Sequence, residues 1–259
     1  MLTRRTILLT GAAATGATLI RPYAVMAESH SNMGDMFKTT SGEIAIHPVS
    51  HASFVMETPA GVFYVDPVGG ASSYDDYPKA DFILITHHHG DHFDLDTLRG
   101  LWNEDLGMIA NPTVFEALPE EMKSQTISMS NGDSGEARGL PIQAIPAYNL
   151  TEDRLKYHPQ GRDNGYIMSI DGLRVYIAGD TEDIPEMRAL TDIDIAFVPF
   201  NLPYTMDETQ AASAVAEFGP KVVYPYHYKG SDREAFAKML ADANADTEVK
   251  LGAWYGSST

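Results

Sequence analysis

The chain reads Thr86-His87-His88-His89-Gly90-Asp91-His92 over seven consecutive residues. This stretch follows the apolar run 82–85, which predicts a buried strand, and precedes residues 93–98, which predict the start of a helix. Ligand sites in layered α/β proteins commonly lie where a strand ends and a helix begins. Imidazole and carboxylate groups bind zinc, iron, manganese or nickel. The stretch therefore predicts a metal site, and because the chain has no cysteine, thiolate ligands are excluded.

The composition predicts a globular chain with an acidic surface. The 259 residues, 44% of them hydrophobic, are enough for one domain with a deep core or for two small ones. The formal net charge is −18, from 36 acidic and 18 basic residues. Such a charge repels phosphate backbones and anionic lipid, which disfavours a role on nucleic acid or at a membrane surface. We therefore expect a small-molecule substrate and no nucleic-acid partner.

The N-terminus has the layout of an export signal. Arg4 and Arg5 precede a mildly apolar run, and a small-residue cleavage site ends at Ala27. This arrangement is typical of a bacterial twin-arginine (Tat) signal, and the apolar run is short for a membrane span. We therefore expect a periplasmic protein that uses the Tat export machinery and keeps no stable membrane anchor. The predicted division of the chain is a signal peptide at 1–27, a linker at 28–42 and a folded domain at 43–259.

The folded part shows the same plan twice, with β-hairpins followed by strand–helix units. A first hairpin is predicted at 52–66, and the Asp-Gly pair at 171–172 predicts a two-residue hairpin turn in the second half. Thr205 and Glu208 predict a capping box for a helix at 207–218. The repeated plan predicts two similar halves that pack sheet on sheet, with helices outside.

Several of the predicted strands end in a residue that can bind a metal. These strand-end residues are Asp66, His87 with His89, Asp180 and His227. Side chains at the ends of neighbouring strands meet at one edge of a sheet, so residues far apart in the sequence can converge there. We therefore expect these side chains to complete the site that the histidine-rich stretch begins.

The order and spacing of these residues resemble those of the metallo-β-lactamase superfamily, whose signature is His-x-His-x-Asp-His. Residues 87–92 match the signature, and Asp180 and His227 match the bridging aspartate and the final histidine. Residues 51–54, 66–67 and 166–180 resemble the branch that contains ascorbate-6-phosphate-lactonase-like and uncharacterised metal-dependent hydrolases. The resemblance implies an α/β fold, an αββα four-layer sandwich of two β-sheets with helices outside. It also implies a site for one or two metal ions between the sheets.

The resemblance further implies a set of ligands. His87 and His89 would hold one metal, Asp91, His92 and His227 the second, and Asp180 would bridge them.

The superfamily usually supplies another histidine to the first metal, and the matching position here is Asn149. The amide oxygen of Asn149 suits a hard ion such as manganese, while His158 in the same loop offers an imidazole instead. We expect zinc, in one or two sites, with Mn²⁺ or Fe²⁺ as the alternatives.

Other residues near the predicted site are candidates for supporting roles. His51 can orient a ligand, contact the substrate or simply pack, and Asp66 can accept a hydrogen bond from a ligand imidazole or close a turn. Tyr204, in a loop after a strand, can bind substrate or stabilise an oxyanion. Asp91 is expected to pass a proton to the leaving group. His88 lies between two ligands, and we expect it to pack or to face solvent.

Together these features predict an exported metal-dependent hydrolase, in which a metal-bound hydroxide attacks a lactone, an ester or a phosphoester of a small molecule. Arg154, Lys156 and Arg162 are the cations of the long loop that could contact a phosphate. A β-lactamase-type amide hydrolase shares the signature and is one alternative. A periplasmic metal-binding protein without turnover is the other, because position 149 lacks the usual histidine.

Overall fold

The structure, a computed structural model, describes residues 34–243 and 245–255. These residues form two seven-stranded sheets, and within each sheet the neighbouring strands follow the order of the chain. The predicted signal peptide at 1–27 lies outside the described residues and stays a prediction. No helix in the described ranges is long and apolar enough to cross a membrane.

The two sheets share one plan. In each, the first to the fourth strand pair antiparallel, and the fourth to the seventh strand pair parallel. The first sheet contains β1 (Asp35–Lys38), β2 (Glu43–Ser50), β3 (Ser53–Thr58), β4 (Gly61–Val65), β5 (Phe82–Ile85), β6 (Gly107–Ala110) and β7 (Thr126–Ser128). The second contains β8 (Ser134–Ala137), β9 (Leu140–Ala147), β10 (Asp163–Ile170), β11 (Leu173–Ile177), β12 (Ile195–Pro199), β13 (Val222–Tyr226) and β14 (Glu248–Val249). The two similar halves predicted from the sequence are confirmed.

Helices cover the outer face of each sheet. They are α1 (Leu95–Leu101), α2 (Pro112–Ala117), α3 (Glu120–Lys123), α4 (Pro185–Arg188), α5 (Glu208–Phe218) and α6 (Arg233–Asp242). One apolar cluster fills the space between the sheets, where the rings of Phe54 and Phe197 stack with centroids 4.1 Å apart. A second cluster lies between the second sheet and helices α4 to α6, and a third between the first sheet and helices α1 to α3. The layers are therefore α, β, β and α, as predicted.

The first strand lies inside the segment 28–42 that the sequence predicts as a linker. Strand β1 pairs antiparallel with β2, and the Tyr224 hydroxyl donates to the Asp35 carboxylate at 2.7 Å. These contacts tie residues 35–38 to both sheets, so this part of the predicted linker belongs to the fold. The sequence did not reveal it, because the strand has only four residues, stands in a polar stretch and shows no alternating pattern of apolar and polar residues.

The cap of α5 differs from the prediction that Thr205 and Glu208 form a capping box. Asp207 is the cap, since its Oδ1 accepts from the Gln210 N–H at 2.7 Å and the Gln210 side chain accepts from the Asp207 N–H at 3.2 Å. Thr205 instead accepts a hydrogen bond from the Asn201 N–H at 2.7 Å within the preceding loop. In both pairs the two residues are three positions apart, as a capping box requires. Because the helix begins at Glu208, the residue before it, Asp207, is the cap.

Candidate metal centre

The candidate site lies at the edge of the sheets where the parallel strands end. The chain leaves β5 into residues 86–92, β11 into Asp180 and β13 into His227. Three residues at this edge, His51, Asp66 and His227, have positive φ angles of 48°, 44° and 49°. Non-glycine residues adopt this left-handed conformation at a cost, and such residues cluster at functional sites.

A first group of potential ligands contains His87, His89, His158 and Asp180, whose ligand atoms all lie within 4.8 Å of one another. Nε2 of His87 lies 3.1 Å from Nδ1 of His89 and 3.9 Å from Oδ2 of Asp180. Nε2 of His158 lies 3.4 Å from the same Asp180 oxygen. Three imidazoles and one carboxylate suit zinc and the other divalent transition metals.

A second group contains His92, Asp180 and His227, again within 4.8 Å. Nε2 of His92 lies 3.3 Å from Oδ1 of Asp180, and Nε2 of His227 lies 3.3 Å from Oδ2. Oδ2 of Asp91 lies 3.4 Å from the same His227 nitrogen. Because Asp180 belongs to both groups, its carboxylate stands where a bridging ligand would stand.

The residues present fit a metal centre, because several buried atoms around Asp180 have no partner. Nε2 of His92, His158 and His227 and Oδ1 of Asp180 are buried and have no hydrogen bond among the described residues. A buried polar atom without a partner costs about 1–3 kcal/mol. All of these atoms are potential metal ligands, so a divalent cation bound among them would satisfy them together.

The electrostatics of the site keep three of its ligands, His87, His89 and Asp180, in the forms that bind a metal. Burial lowers the pKa of His87 well below its ordinary value and that of His89 to about 4, so both imidazoles are neutral near pH 7. Burial alone would raise the pKa of Asp180, but the adjacent His227 and His92 hold it well below its ordinary value. Neutral histidines and an ionised carboxylate are the forms that coordinate metals.

Two histidines of the site are oriented by buried carboxylates. Nδ1 of His92 lies 2.8 Å from Oδ2 of Asp66, which also accepts from the Thr86 hydroxyl at 2.7 Å. Nδ1 of His158 lies 3.0 Å from Oδ2 of Asp163. In each pair the carboxylate accepts from Nδ1, which leaves the lone pair of Nε2 for a metal. Sequence reasoning identified Asp66 as a candidate for this role and missed Asp163, whose only signal is its place at the start of β10.

The structure brings His158 to the centre, and Asn149 lies in the same loop with its side-chain oxygen buried and without a hydrogen bond among the described residues. His158 is fully buried among the ligands of the first group. The Asn149 Nδ2 donates to the Tyr204 carbonyl at 2.7 Å and the Arg154 carbonyl at 3.2 Å, and its N–H donates to the His158 carbonyl at 2.8 Å. Asn149 therefore fastens the loop that carries His158.

A buried carboxylate, Glu182, anchors the same loop. It accepts from the N–H groups of Leu150 and Thr151, each at 2.7 Å, and from the Arg154 guanidinium at 2.7 Å. Glu182 follows Asp180 by two residues, so the loop 148–162 is tied to the segment that carries the shared carboxylate. Sequence reasoning missed Glu182, because its donors lie in a loop without local pattern.

The remaining candidates lie around the centre. Oδ2 of Asp91 is 3.1 Å from Nε2 of His51 and 3.4 Å from Nε2 of His227. Burial raises the Asp91 pKa, but the adjacent His227 and His51 hold it well below its ordinary value. His88 is outside both ligand groups. Tyr204 is 45% exposed, and its ring packs edge-on against Tyr157. In the described part of the chain, no hydrogen bond joins its hydroxyl to the histidines.

Comparison with known proteins agrees with this fold and centre. A family model described as a beta-lactamase superfamily domain matches residues 45–227. A UPF0173 metal-dependent hydrolase of Pyrococcus abyssi is 30% identical over 220 residues, which cover 79% of this chain and 95% of that protein.

Two solved structures extend the comparison. A Parabacteroides distasonis protein, provisionally named a metal-dependent hydrolase, is 44% identical with a TM-score of 0.77, and the match covers 85% of this chain and 99% of that one. Igni18, described as a novel metallo hydrolase of Ignicoccus hospitalis, is 26% identical with a TM-score of 0.67, over 80% of this chain and 94% of that one.

The fold and the histidine–aspartate centre thus define a protein of the metallo-β-lactamase fold. The chain belongs to the beta-lactamase superfamily and, within it, to the metal-dependent hydrolases that include the UPF0173 proteins. The resemblance found in the sequence and the predicted αββα sandwich are both confirmed.

Proposed function

We propose that this hydrolase binds one or two divalent cations, with zinc as the first choice, and cleaves a lactone or ester bond of a small molecule in the periplasm. The observation that carries the proposal is the pair of ligand groups that share Asp180, with buried ligand atoms that lack partners. When bound, a divalent cation lowers the pKa of a water molecule and polarises the substrate oxygen next to the reacting atom.

The ligands of the two positions follow from the two groups. The first position would be held by His87, His89, His158 and Asp180, and the second by His92, His227 and Asp180 with Asp91 beside them.

Asp91 has a second role in this proposal. Its side chain is about half exposed, and Oδ2 faces His51 and His227. No hydrogen bond from the described residues reaches Oδ1. An ionised carboxylate with one free oxygen at the solvent side can take a proton during attack and return it to the leaving group.

The charges around the centre favour an uncharged substrate over a phosphoester. Arg154 is paired with Glu182 at 2.7 Å, and Arg162 with Asp163 at 2.8 Å, so buried carboxylates already neutralise both cations. Lys156 lies over the Tyr157 ring, with Nζ 5.0 Å from the centroid. The loop therefore offers little free positive charge to a phosphate.

Exposed apolar side chains on two loops near His158 favour a substrate with an apolar substituent. The side chains are those of Leu150, Leu155, Leu202 and Tyr204, with exposed fractions of 48%, 43%, 48% and 45%. The hydrogen bond from Asn149 to the Tyr204 carbonyl joins these loops, and the Asn149 N–H bonds His158. Apolar surface beside a polar centre is typical of small-molecule sites.

His158 also bears on the alternative of a metal-binding protein without turnover. That alternative rested on the absence of a histidine at position 149, and His158 supplies an imidazole to the same group. A complete ligand set with a carboxylate at the solvent side favours catalysis.

Turnover by metal-loaded protein tests the proposal. The panel contains lactones, nitrophenyl esters from acetyl to octanoyl, bis-nitrophenyl phosphate and a chromogenic β-lactam, each with zinc, manganese or iron(II). We expect hydrolysis of the lactones or carboxylic esters above that of phosphate and β-lactam. Turnover of none of these substrates with any metal would overturn the proposal.

Export to the periplasm is proposed from the twin-arginine pair, Arg4 and Arg5, together with the apolar run that follows it. Cell fractionation is the test, with Arg4→Lys and Arg5→Lys combined in one chain. We expect the changed protein to stay in the cytoplasm, and periplasmic accumulation of the variant would contradict Tat export.

A further inference from the structure

The C-terminal segment contacts the metal centre through Tyr255. The Tyr255 hydroxyl lies 2.6 Å from Nδ1 of His51, and Nε2 of His51 lies 3.1 Å from Oδ2 of Asp91. A continuous chain of hydrogen bonds therefore runs from Tyr255 through the imidazole to the carboxylate. Nothing in the sequence pattern singled out Tyr255.

The direction of these hydrogen bonds follows from the chemistry of the three groups. An ionised carboxylate only accepts, so the His51 nitrogen that faces Asp91 must carry a hydrogen. In a neutral imidazole the other nitrogen then has only a lone pair. Nδ1 of His51 is therefore the acceptor, and the Tyr255 hydroxyl is the donor.

This arrangement decides between two roles for His51. The potential ligand atoms of His51, Asp91 and His227 lie within 4.8 Å of one another, so His51 could by distance be a metal ligand. A nitrogen that carries a hydrogen has no lone pair for a metal, so the tautomer that Asp91 requires and the Tyr255 hydroxyl stabilises removes His51 from the ligand set. His51 instead donates to Asp91.

The backbone holds His51 in this place. Its N–H donates to the Trp254 carbonyl at 3.1 Å, and its carbonyl accepts from the His227 N–H at 2.9 Å. Its ring centroid lies 3.9 Å from that of His227 and 5.6 Å from that of Tyr255. The His51 imidazole is thus fixed between His227, which follows strand β13, and the C-terminal segment.

We propose that Tyr255 is a positioning residue, which holds His51 in the Nε2–H tautomer so that His51 aims the Asp91 carboxylate at the reacting groups. The kinetic part rests on the proposed function, because it uses the role of Asp91 in turnover. The tautomer itself is a property of the folded chain and needs no substrate.

The tautomer is measured by long-range ¹H–¹⁵N correlation spectra of the full-length protein labelled at histidine, both metal-free and zinc-loaded. His51→Gln assigns the His51 signals by their loss. We expect a protonated Nε2 and an unprotonated Nδ1 in both states, and Tyr255→Phe should shift the Nδ1 signal because its donor is gone. A protonated Nδ1 in the wild-type protein, or an unchanged spectrum in Tyr255→Phe, would overturn the proposal.

Kinetics supply the second readout, on a substrate that the panel identifies. Tyr255→Phe keeps the ring and should lower kcat about tenfold with little change in KM, as expected for a group that orients a catalytic carboxylate. The matched control is Tyr64→Phe, which removes a hydroxyl that donates to the Pro78 carbonyl at 2.8 Å in the first sheet. We expect the control to keep the wild-type kcat. A rise in KM with unchanged kcat would contradict a positioning role.

A double-mutant comparison separates positioning from a general loss of packing. The amide nitrogen of His51→Gln can still donate to Asp91 without help from Tyr255. In that background Tyr255→Phe should cause no further loss of kcat, whereas independent losses would overturn the proposal. If no substrate is turned over at all, the proposed function fails and the spectra still decide the tautomer.

Discussion

Nε2 of His158 lies 3.4 Å from Oδ2 of Asp180, although Asp180 comes 22 positions later in the chain and two strands lie between them. The contact joins a loop imidazole to the carboxylate that both ligand groups share. Nδ1, the other ring nitrogen of His158, lies 3.0 Å from Oδ2 of Asp163. In the proposed centre the first metal position would therefore be completed from a loop, and the consequences of this contact can be measured.

We expect His158→Ala to lose one equivalent of bound zinc per chain and to lower kcat about 100-fold or more, because the first position loses one of its three imidazoles. Metal analysis after gel filtration measures the stoichiometry. Asn149→Ala is the comparison, since it removes two loop hydrogen bonds but no ligand. If Asn149→Ala loses the metal and His158→Ala keeps it, the assignment of the two residues is wrong.

Glu182→Gln should weaken the loop anchor. The carboxylate accepts three hydrogen bonds, and an amide can replace only part of them, so we expect a loss of about 1–3 kcal/mol in the free energy of unfolding. Zinc affinity of the first position should fall with it, because the loop carries His158. Glu186→Gln is the control, since Glu186 accepts one hydrogen bond from the Tyr148 hydroxyl at 3.0 Å. Equal effects of the two changes would contradict an anchoring role.

Leu155→Ser should raise KM for octanoyl esters several-fold and leave acetyl esters unchanged, if the exposed apolar side chains contact the substrate. Steady-state kinetics over the acyl series measure the difference. Ile127→Ser in β7 is the matched control, because Ile127 is 45% exposed and lies in the first sheet. A loss that does not depend on chain length would mean that Leu155 does not contact the acyl group.

Metal-free protein should be most stable near the ordinary histidine pKa of 6.5. Burial would lower the pKa of His92 and His158, but Asp180 with Asp66 or Asp163 raises both, so their stabilisation is present below pH 6.5 and is lost as pH rises through the raised values. The buried His87 and His89 have lowered pKa values, and their effect on stability is the opposite. The folded state keeps them neutral, so it is destabilised relative to the unfolded chain as pH falls below 6.5.

Bound metal should move this optimum upward, because the cation takes the place of the protons on His92 and His158. Urea unfolding of metal-free and zinc-loaded protein across pH measures both curves. A metal-free protein whose stability keeps rising above pH 6.5 would show that these histidines are not protonated in the folded chain.

Much of the fold follows from local patterns in the sequence. The Asp171-Gly172 turn lies between β10 and β11 as predicted, because a two-residue hairpin turn is a local property. Asp180 and His227 end parallel strands, so their convergence with residues 86–92 follows from the sheet edge. Strand β1 was not predicted, because its four residues show no alternating pattern of apolar and polar residues and it is stabilised by pairing with β2 and by a contact from the second sheet.

The parts of the site that sequence reasoning missed depend on contacts between distant residues. Asp163, Glu182 and Tyr255 have no motif, and each acts through a hydrogen bond to another loop or to a histidine. The choice between Asn149 and His158 depends on the path of the loop, which Glu182 fixes from outside it. Such partners become visible only when the chain is folded.

The most direct test of the central claim is a crystal structure of the zinc-loaded, full-length protein with anomalous data at the zinc edge. We predict anomalous density on both sides of the Asp180 carboxylate, with Nε2 of His158 as a ligand on one side and Nε2 of His92 and His227 on the other. Density remote from Asp180, or a His158 imidazole that coordinates nothing, would contradict this prediction.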